Sequence, residues 1–128
     1  TKLKEKLEES KKDNSLPKVL IPVHFAGQPT IQEEIYKLSQ EYGFKIIEDA
    51  SHSIGSERNN EITGNCKWSD ITVFSFHPVK MISTAEAGMA LTNNSNLADK
   101  LKLLRAHGIT RNPILFKDKS NANNKWYY

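Results

Sequence analysis

A chain of 128 residues, 38% hydrophobic and 26% charged, is long enough for one modest core and too short for two full domains. Its net charge of +3 comes from dispersed side chains, and no basic block is interleaved with aromatic residues, so no nucleic-acid partner is expected. No apolar run approaches the roughly 18 residues of a membrane span, and the single cysteine, Cys66, excludes an internal disulfide framework and makes a reducing cytoplasm the default compartment.

Residues 2–12 alternate lysine and glutamate around Leu3 and Leu7, the pattern of a charged helix with a narrow apolar stripe. Asp13-Asn14-Ser15 and Pro17 end it. Val19-Leu20-Ile21, bounded by Pro17 and Pro22, reads as a short buried strand, and His24 to Pro29 as a loop. Thr30 and Glu33 match a capping box. Ile31, Ile35, Leu38 and Tyr42 then give one helical apolar face, and Gly43 is a suitable terminator. Phe44 to Ile47 is the next strand, ending on Glu48-Asp49. Strand, helix and strand with short connections predict a βαβ unit and a largely parallel sheet, an α/β fold.

Ala50 to Ser69 is polar and glycine-bearing and reads as loops with at most one helical turn. Ile71 to Phe76 is a β-branched and aromatic strand, a turn carries Lys80, and Met89 to Thr92 is a further strand. After the Asn93-Asn94 turn, Leu97, Leu101 and Leu104 mark an amphipathic helix ending near His107-Gly108. Thr110 to Asn124 is polar and turn-rich. The chain opens at Thr1 within a helical pattern and closes on Lys125-Trp126-Tyr127-Tyr128, aromatic residues that ordinarily pack, so a piece of a longer protein is expected.

In an open α/β sheet, ligands gather beyond the carboxyl ends of the strands. Three ionisable clusters fall there: His24, the run Glu48-Asp49-Ala50-Ser51-His52, and the run Ser75-Phe76-His77-Pro78-Val79-Lys80. Taken singly, each has an ordinary explanation. Asp49 suits a turn or cap, Lys80 a surface charge, and His52 and His77 satisfied positions near a core. His24, His52, His77 and Cys66 are zinc-ligand types, but they lack the short paired spacing of zinc sites.

The combination is more specific. Ile46 to Gly55, Ser75 to Lys80 and Ser83-Thr84-Ala85-Glu86-Ala87-Gly88, inside a wider match from Ile21 to Ile109, resemble the DegT/StrS family of nucleotide-sugar aminotransferases. The resemblance implies the large domain of a fold-type-I enzyme dependent on pyridoxal 5′-phosphate (PLP), like aspartate aminotransferase. Within the family the likeness runs to the transaminases of pseudaminic acid biosynthesis, through the Ile21–Gln28 run and Gly64-Asn65-Cys66-Lys67. These aminate C4 of a UDP-linked 4-keto-6-deoxy-N-acetylhexosamine with glutamate as donor.

The resemblance also implies roles. Lys80 matches the family's Schiff-base lysine, whose amine, once released, shuttles a proton at the reacting carbon. Asp49 matches the carboxylate that faces the pyridine nitrogen and keeps it protonated. His52 matches a position beside the cofactor ring, near its phenolic oxygen, and Ser75 a phosphate contact. His77 is read as structural, Cys66 as a structural thiol, and Ser83, Thr84 and Glu86 are given no individual chemistry. The family's usual Gly-Gly pair is Ala87-Gly88 here. A positive φ at the first position would cost about 1 kcal/mol with alanine, whereas a need only for a small side chain would leave alanine harmless.

On this reading residues 1–128 are a partial large domain, without the upstream phosphate-cradling segment or the small C-terminal domain, and the full-length protein is a homodimer. The competing readings are a non-catalytic PLP-fold remnant, a family member acting on a different keto-sugar, and a keto-sugar dehydratase. The last class carries histidine in place of the Schiff-base lysine, so Lys80 favours transamination.

Overall fold

The computed structural model describes residues 1–115. They fall into two compact units, one of Thr1–Asn93 and one beginning at Asn94.

In the first unit, helix α1 (Lys2–Lys12) is capped by the Thr1 side chain and buries Leu7. Its exposed side carries the lysine–glutamate pairs Lys2–Glu5 and Lys6–Glu9, three residues apart. Strand β1 (Val19–Leu20) is followed by a short 3-10 turn at Phe25–Gly27. Helix α2 (Gln32–Tyr42) ends at Gly43 in the left-handed conformation, as the sequence predicts. Leu7, Tyr42, Phe44 and Ile46 form the core, with Leu3, Leu16, Leu20, Ile35, Tyr36 and Leu38 packed around them. The hydroxyl of Tyr42 donates to the Glu8 carboxylate, joining α2 to α1.

Strands β2 (Lys45–Asp49), β5 (Ile71–Ser75) and β6 (Gly88–Leu91) complete a four-stranded sheet in the order β1-β2-β5-β6. The β1–β2 and β2–β5 pairs are parallel, while β5–β6 is antiparallel. The largely parallel sheet of the sequence reading therefore carries one antiparallel edge strand, which is common in mixed sheets.

Three local expectations are corrected. The capping box does not form: Ile31 is the N-cap residue and offers no side-chain bond. Tertiary partners take both of its groups, since Thr30 turns to His24, with its N–H 3.1 Å from Nδ1, and Glu33 accepts from Asn59 at 2.9 Å. The Val19–Ile21 run is a two-residue edge strand with Ile21 59% exposed, because an edge strand has a neighbour on one side alone. Within the stretch read as loops lies a hairpin, β3 (Glu57–Arg58) and β4 (Glu61–Ile62). Its two turn residues, Asn59 and Asn60, have φ of 51° and 60°, the conformation of a two-residue primed turn that asparagine tolerates.

In the second unit, α3 (Ser95–Arg105) starts on the Asn94 side chain. It ends in a Schellman arrangement, with Gly108 N–H on the Leu103 carbonyl at 2.9 Å and His107 N–H on that of Leu104 at 3.0 Å. A 3-10 turn at Pro113–Leu115 follows. The remainder of the polar stretch read as turn-rich, and the terminal aromatic run, lie outside the described residues.

Candidate active site

Alternation along a strand sends successive side chains to opposite faces of a sheet. On the face beneath α2, Ile46 and Glu48 of β2 meet Thr72 and Phe74 of β5, and all four are buried. On the other face, Ile47, Asp49, Ile71, Val73 and Ser75 are half-buried or exposed. Asp49 pairs with Val73 across the parallel ladder. Asp49 and Ser75 therefore share this open face, at the carboxyl ends of neighbouring strands.

The backbone of Asp49 is held from both neighbours. Its N–H donates to the Pro22 carbonyl at 2.9 Å, its own carbonyl accepts from His24 N–H at 3.0 Å, and the next N–H, of Ala50, donates to Val73 at 2.9 Å. Its side chain closes an Asx turn, with Ser51 N–H 3.1 Å from Oδ1. Hydrogen bonding from Ser51 holds the carboxyl below the usual aspartate range against the opposing effect of burial, and the positive charges of His52 and Lys80 act in the same direction. An ionised carboxylate has about four acceptor sites, so Asp49 can still accept a further N–H.

Ser75 Oγ accepts from His77 N–H at 3.4 Å, which leaves its own hydroxyl proton to donate. Beyond it, the Lys80 segment is a closed loop. Phe76 N–H donates to the Ala87 carbonyl at 2.9 Å, Thr84 N–H to that of Phe76 at 3.1 Å, and Lys80 N–H to that of His77 at 2.9 Å. His77 supports this loop, accepting from Val79 N–H at Nδ1 and lying 3.7 Å from Glu86 through Nε2. Ala87 is outside the left-handed region, which falls at Ala85 with φ 67°. At Gly88 a Cβ would meet the Phe74 carbonyl oxygen at 3.1 Å. The close approach therefore belongs to the second residue of the pair, and Ala87 is unstrained.

His52 is exposed, its ring 6.4 Å from that of Phe25 and tilted by 60°. His24 departs from the sequence reading, which placed it with the ligand-edge clusters. It turns away from the open face and is 0% exposed, because its ring is drawn to Thr30 N–H on one side and towards Glu48 on the other. The Thr30 bond to Nδ1 leaves the ring proton on Nε2, which lies 3.9 Å from Glu48 Oε2. Among the described residues, no group of three or more His, Cys, Asp or Glu side chains could hold a metal ion. Cys66 is buried with Sγ 3.4 Å from Thr72 Oγ1, in keeping with a structural thiol.

Glu48 is the group to which the sequence reading assigned no task. It is 2% exposed and accepts from Gln32 Nε2 at 2.6 Å and Thr72 Oγ1 at 2.7 Å. Burial pushes its carboxyl up, but the His24 ring facing it and the bonds from Thr72 and Gln32 outweigh burial and bring it below the usual glutamate range. The signal was present in the sequence: Phe44, Ile46 and Glu48 sit at i, i+2 and i+4, the inward positions of one strand.

Comparison with known proteins matches residues 1–124 to the model of the DegT/DnrJ/EryC1/StrS aminotransferase family. A UDP-4-amino-4,6-dideoxy-N-acetyl-beta-L-altrosamine transaminase of Campylobacter jejuni is 43% identical over 96 residues, 75% of this chain and 25% of that protein. A solved Helicobacter pylori aminotransferase involved in pseudoaminic acid biosynthesis superposes with TM-score 0.67 at 39% identity, over 70% of this chain and 24% of the other. A Bacillus subtilis structure with bound cofactor PMP gives TM-score 0.66 at 32% identity, over 78% and 22% of the two chains. The chain spans about a quarter of the length of these relatives. Its α/β architecture is that of the fold-type-I PLP-dependent aminotransferases, and with the match over nearly its whole length the chain belongs to the DegT/DnrJ/EryC1/StrS aminotransferase family.

Proposed function

We propose that this chain is the middle of the large domain of a PLP-dependent nucleotide-sugar aminotransferase. The reading extends to a UDP-linked 4-keto-6-deoxy-N-acetylhexosamine as acceptor and glutamate as amino donor, in the making of an amino sugar such as pseudaminic acid. A cytoplasmic homodimer is the assembly that goes with it. The likeness to the Campylobacter and Helicobacter enzymes supports the substrate class. Among the described residues no helix is long and apolar enough to cross a membrane.

The observation that carries the proposal is that Asp49 and Ser75 share one open sheet face at the carboxyl ends of neighbouring strands, with Lys80 on the loop that follows Ser75. This donor set fits PLP, which has a basic ring nitrogen, a phosphate and an aldehyde. When bound, the cofactor supplies an electron sink for the carbon that loses its proton. Asp49, ionised, would hold the proton on the ring nitrogen. Ser75 would donate its hydroxyl to the phosphate, and His52 would lie beside the ring. Lys80 would provide the amine that anchors the cofactor and, when free, would move the proton at the reacting carbon. Borohydride reduction of the full-length protein with PLP, followed by peptide mapping, should label Lys80. A label on another lysine, or none, would overturn the assignment.

A further inference from the structure

Glu48 precedes Asp49 and points the opposite way, so it has no route to the open face. A buried carboxylate carries a desolvation penalty that a well-packed apolar side chain would avoid, so stability alone is a poor reason for it. What a carboxylate can do there is gather donors from separate elements at one point. Gln32 opens α2, Thr72 is the register partner of Glu48 on β5, and His24 lies on the connection between β1 and α2.

Two of those elements also bond the backbone around Asp49. His24 N–H donates to the Asp49 carbonyl, Pro22 on the same connection accepts from Asp49 N–H, and Val73, next to Thr72, accepts from Ala50 N–H. His24 is committed in the same sense. With Nδ1 taken by Thr30, its Nε2 finds no hydrogen-bond partner among the described residues, and the Glu48 carboxylate lies 3.9 Å from it.

We infer that Glu48 is a positioning residue: with His24, Gln32 and Thr72 it braces the backbone of Asp49 from the closed face, so that the Asp49 carboxylate is presented in one direction on the open face. The brace acts through the Asx turn, because Oδ1 of Asp49 keeps the Ser51 N–H only while the backbone at 49–51 stays in place. The functional meaning of the brace rests on the proposal that Asp49 serves the ring nitrogen. Its test needs no cofactor, so failure of the brace would leave that proposal standing, and a failed borohydride mapping would leave the brace standing.

The test is a carboxyl 13C NMR titration of Asp49 in the cofactor-free protein. Glu48→Gln keeps the size of the side chain but replaces one acceptor oxygen with an amide among the donors Gln32 and Thr72. The Asp49 midpoint should rise towards the ordinary aspartate range in Glu48→Gln, against the fall that loss of the neighbouring negative charge produces by itself, and stay at the wild-type value in Ile46→Val, a neighbouring buried change outside the brace. An unchanged midpoint in Glu48→Gln overturns the inference whatever happens to stability, and an equal rise in Ile46→Val overturns it as general loosening. Should Glu48→Gln fail to fold, Thr72→Val removes one donor and keeps the shape. It should give a smaller rise in the same direction, and no rise there also overturns the inference.

Discussion

On the closed face of β2 and β5, the polar side chains Glu48 and Thr72 are bonded to each other and enclosed with Ile46 and Phe74. On the open face, one residue along each strand, Asp49 and Ser75 retain hydrogen-bonding capacity, and Val73 between them is 36% exposed. The same two strands thus serve packing on one side and present the candidate site on the other. Strand alternation alone separates the roles, which makes Glu48 and Asp49, adjacent in sequence, opposite in environment. The difference teaches that a polar residue next to a candidate site residue need not belong to the same surface.

The largest expected effect lies on the open side. Lys80→Ala should lower conversion of a UDP-4-keto sugar to the amino sugar by the full-length protein by about 10³-fold or more, the scale on which a positioned proton-transfer group acts. Its unfolding free energy should change by no more than about 0.5 kcal/mol, as for other substitutions away from the core. Wild-type turnover, or a large loss of stability, would break the division between the faces.

The closed side should behave in reverse. Ile46→Ala removes a side chain from the core cluster and should cost about 2–4 kcal/mol in urea unfolding. A loss below about 0.5 kcal/mol would show that this face is not the folding core.

A pH series sharpens the contrast at Glu48 itself. Its carboxyl lies lower in the folded protein than the ordinary value of 4.5, so the unfolded chain binds the proton more readily. Its contribution to stability is therefore fully present above about pH 4.5 and is lost as the pH falls through the folded value. Unfolding of wild type and Glu48→Gln, followed from pH 7 downward, should converge on the acid side. Divergence on acidification would reverse the sign and contradict the buried-anion description.

Much of the fold was legible because its signals are local. The period of Ile31, Ile35, Leu38 and Tyr42, the stop at Gly43 and the β-branched run from Ile71 each act within a few residues of themselves. The candidate site residues were legible as motifs, since Asp49 and Ser75 close their strands and His52 and Lys80 follow closely in the chain. The hairpin at Glu57–Ile62 was missed because two-residue strands carry no alternation to read. The capping box was misread because His24 and Asn59 compete for the same groups from 6 and 26 residues away.

The sequence by itself determined the strand–helix–strand order, the chain positions of the ionisable residues and the family to which they belong. Only the tertiary structure decided which face each of them occupies. It turned His24 inward, relieved Ala87 of strain by placing the close approach at Gly88, and set Glu48 among donors 16 and 24 residues distant in the chain. The physical reason is one of range. Backbone preference and hydrophobic period act between near neighbours, whereas the partner of a buried charge is supplied by whichever element packs against it.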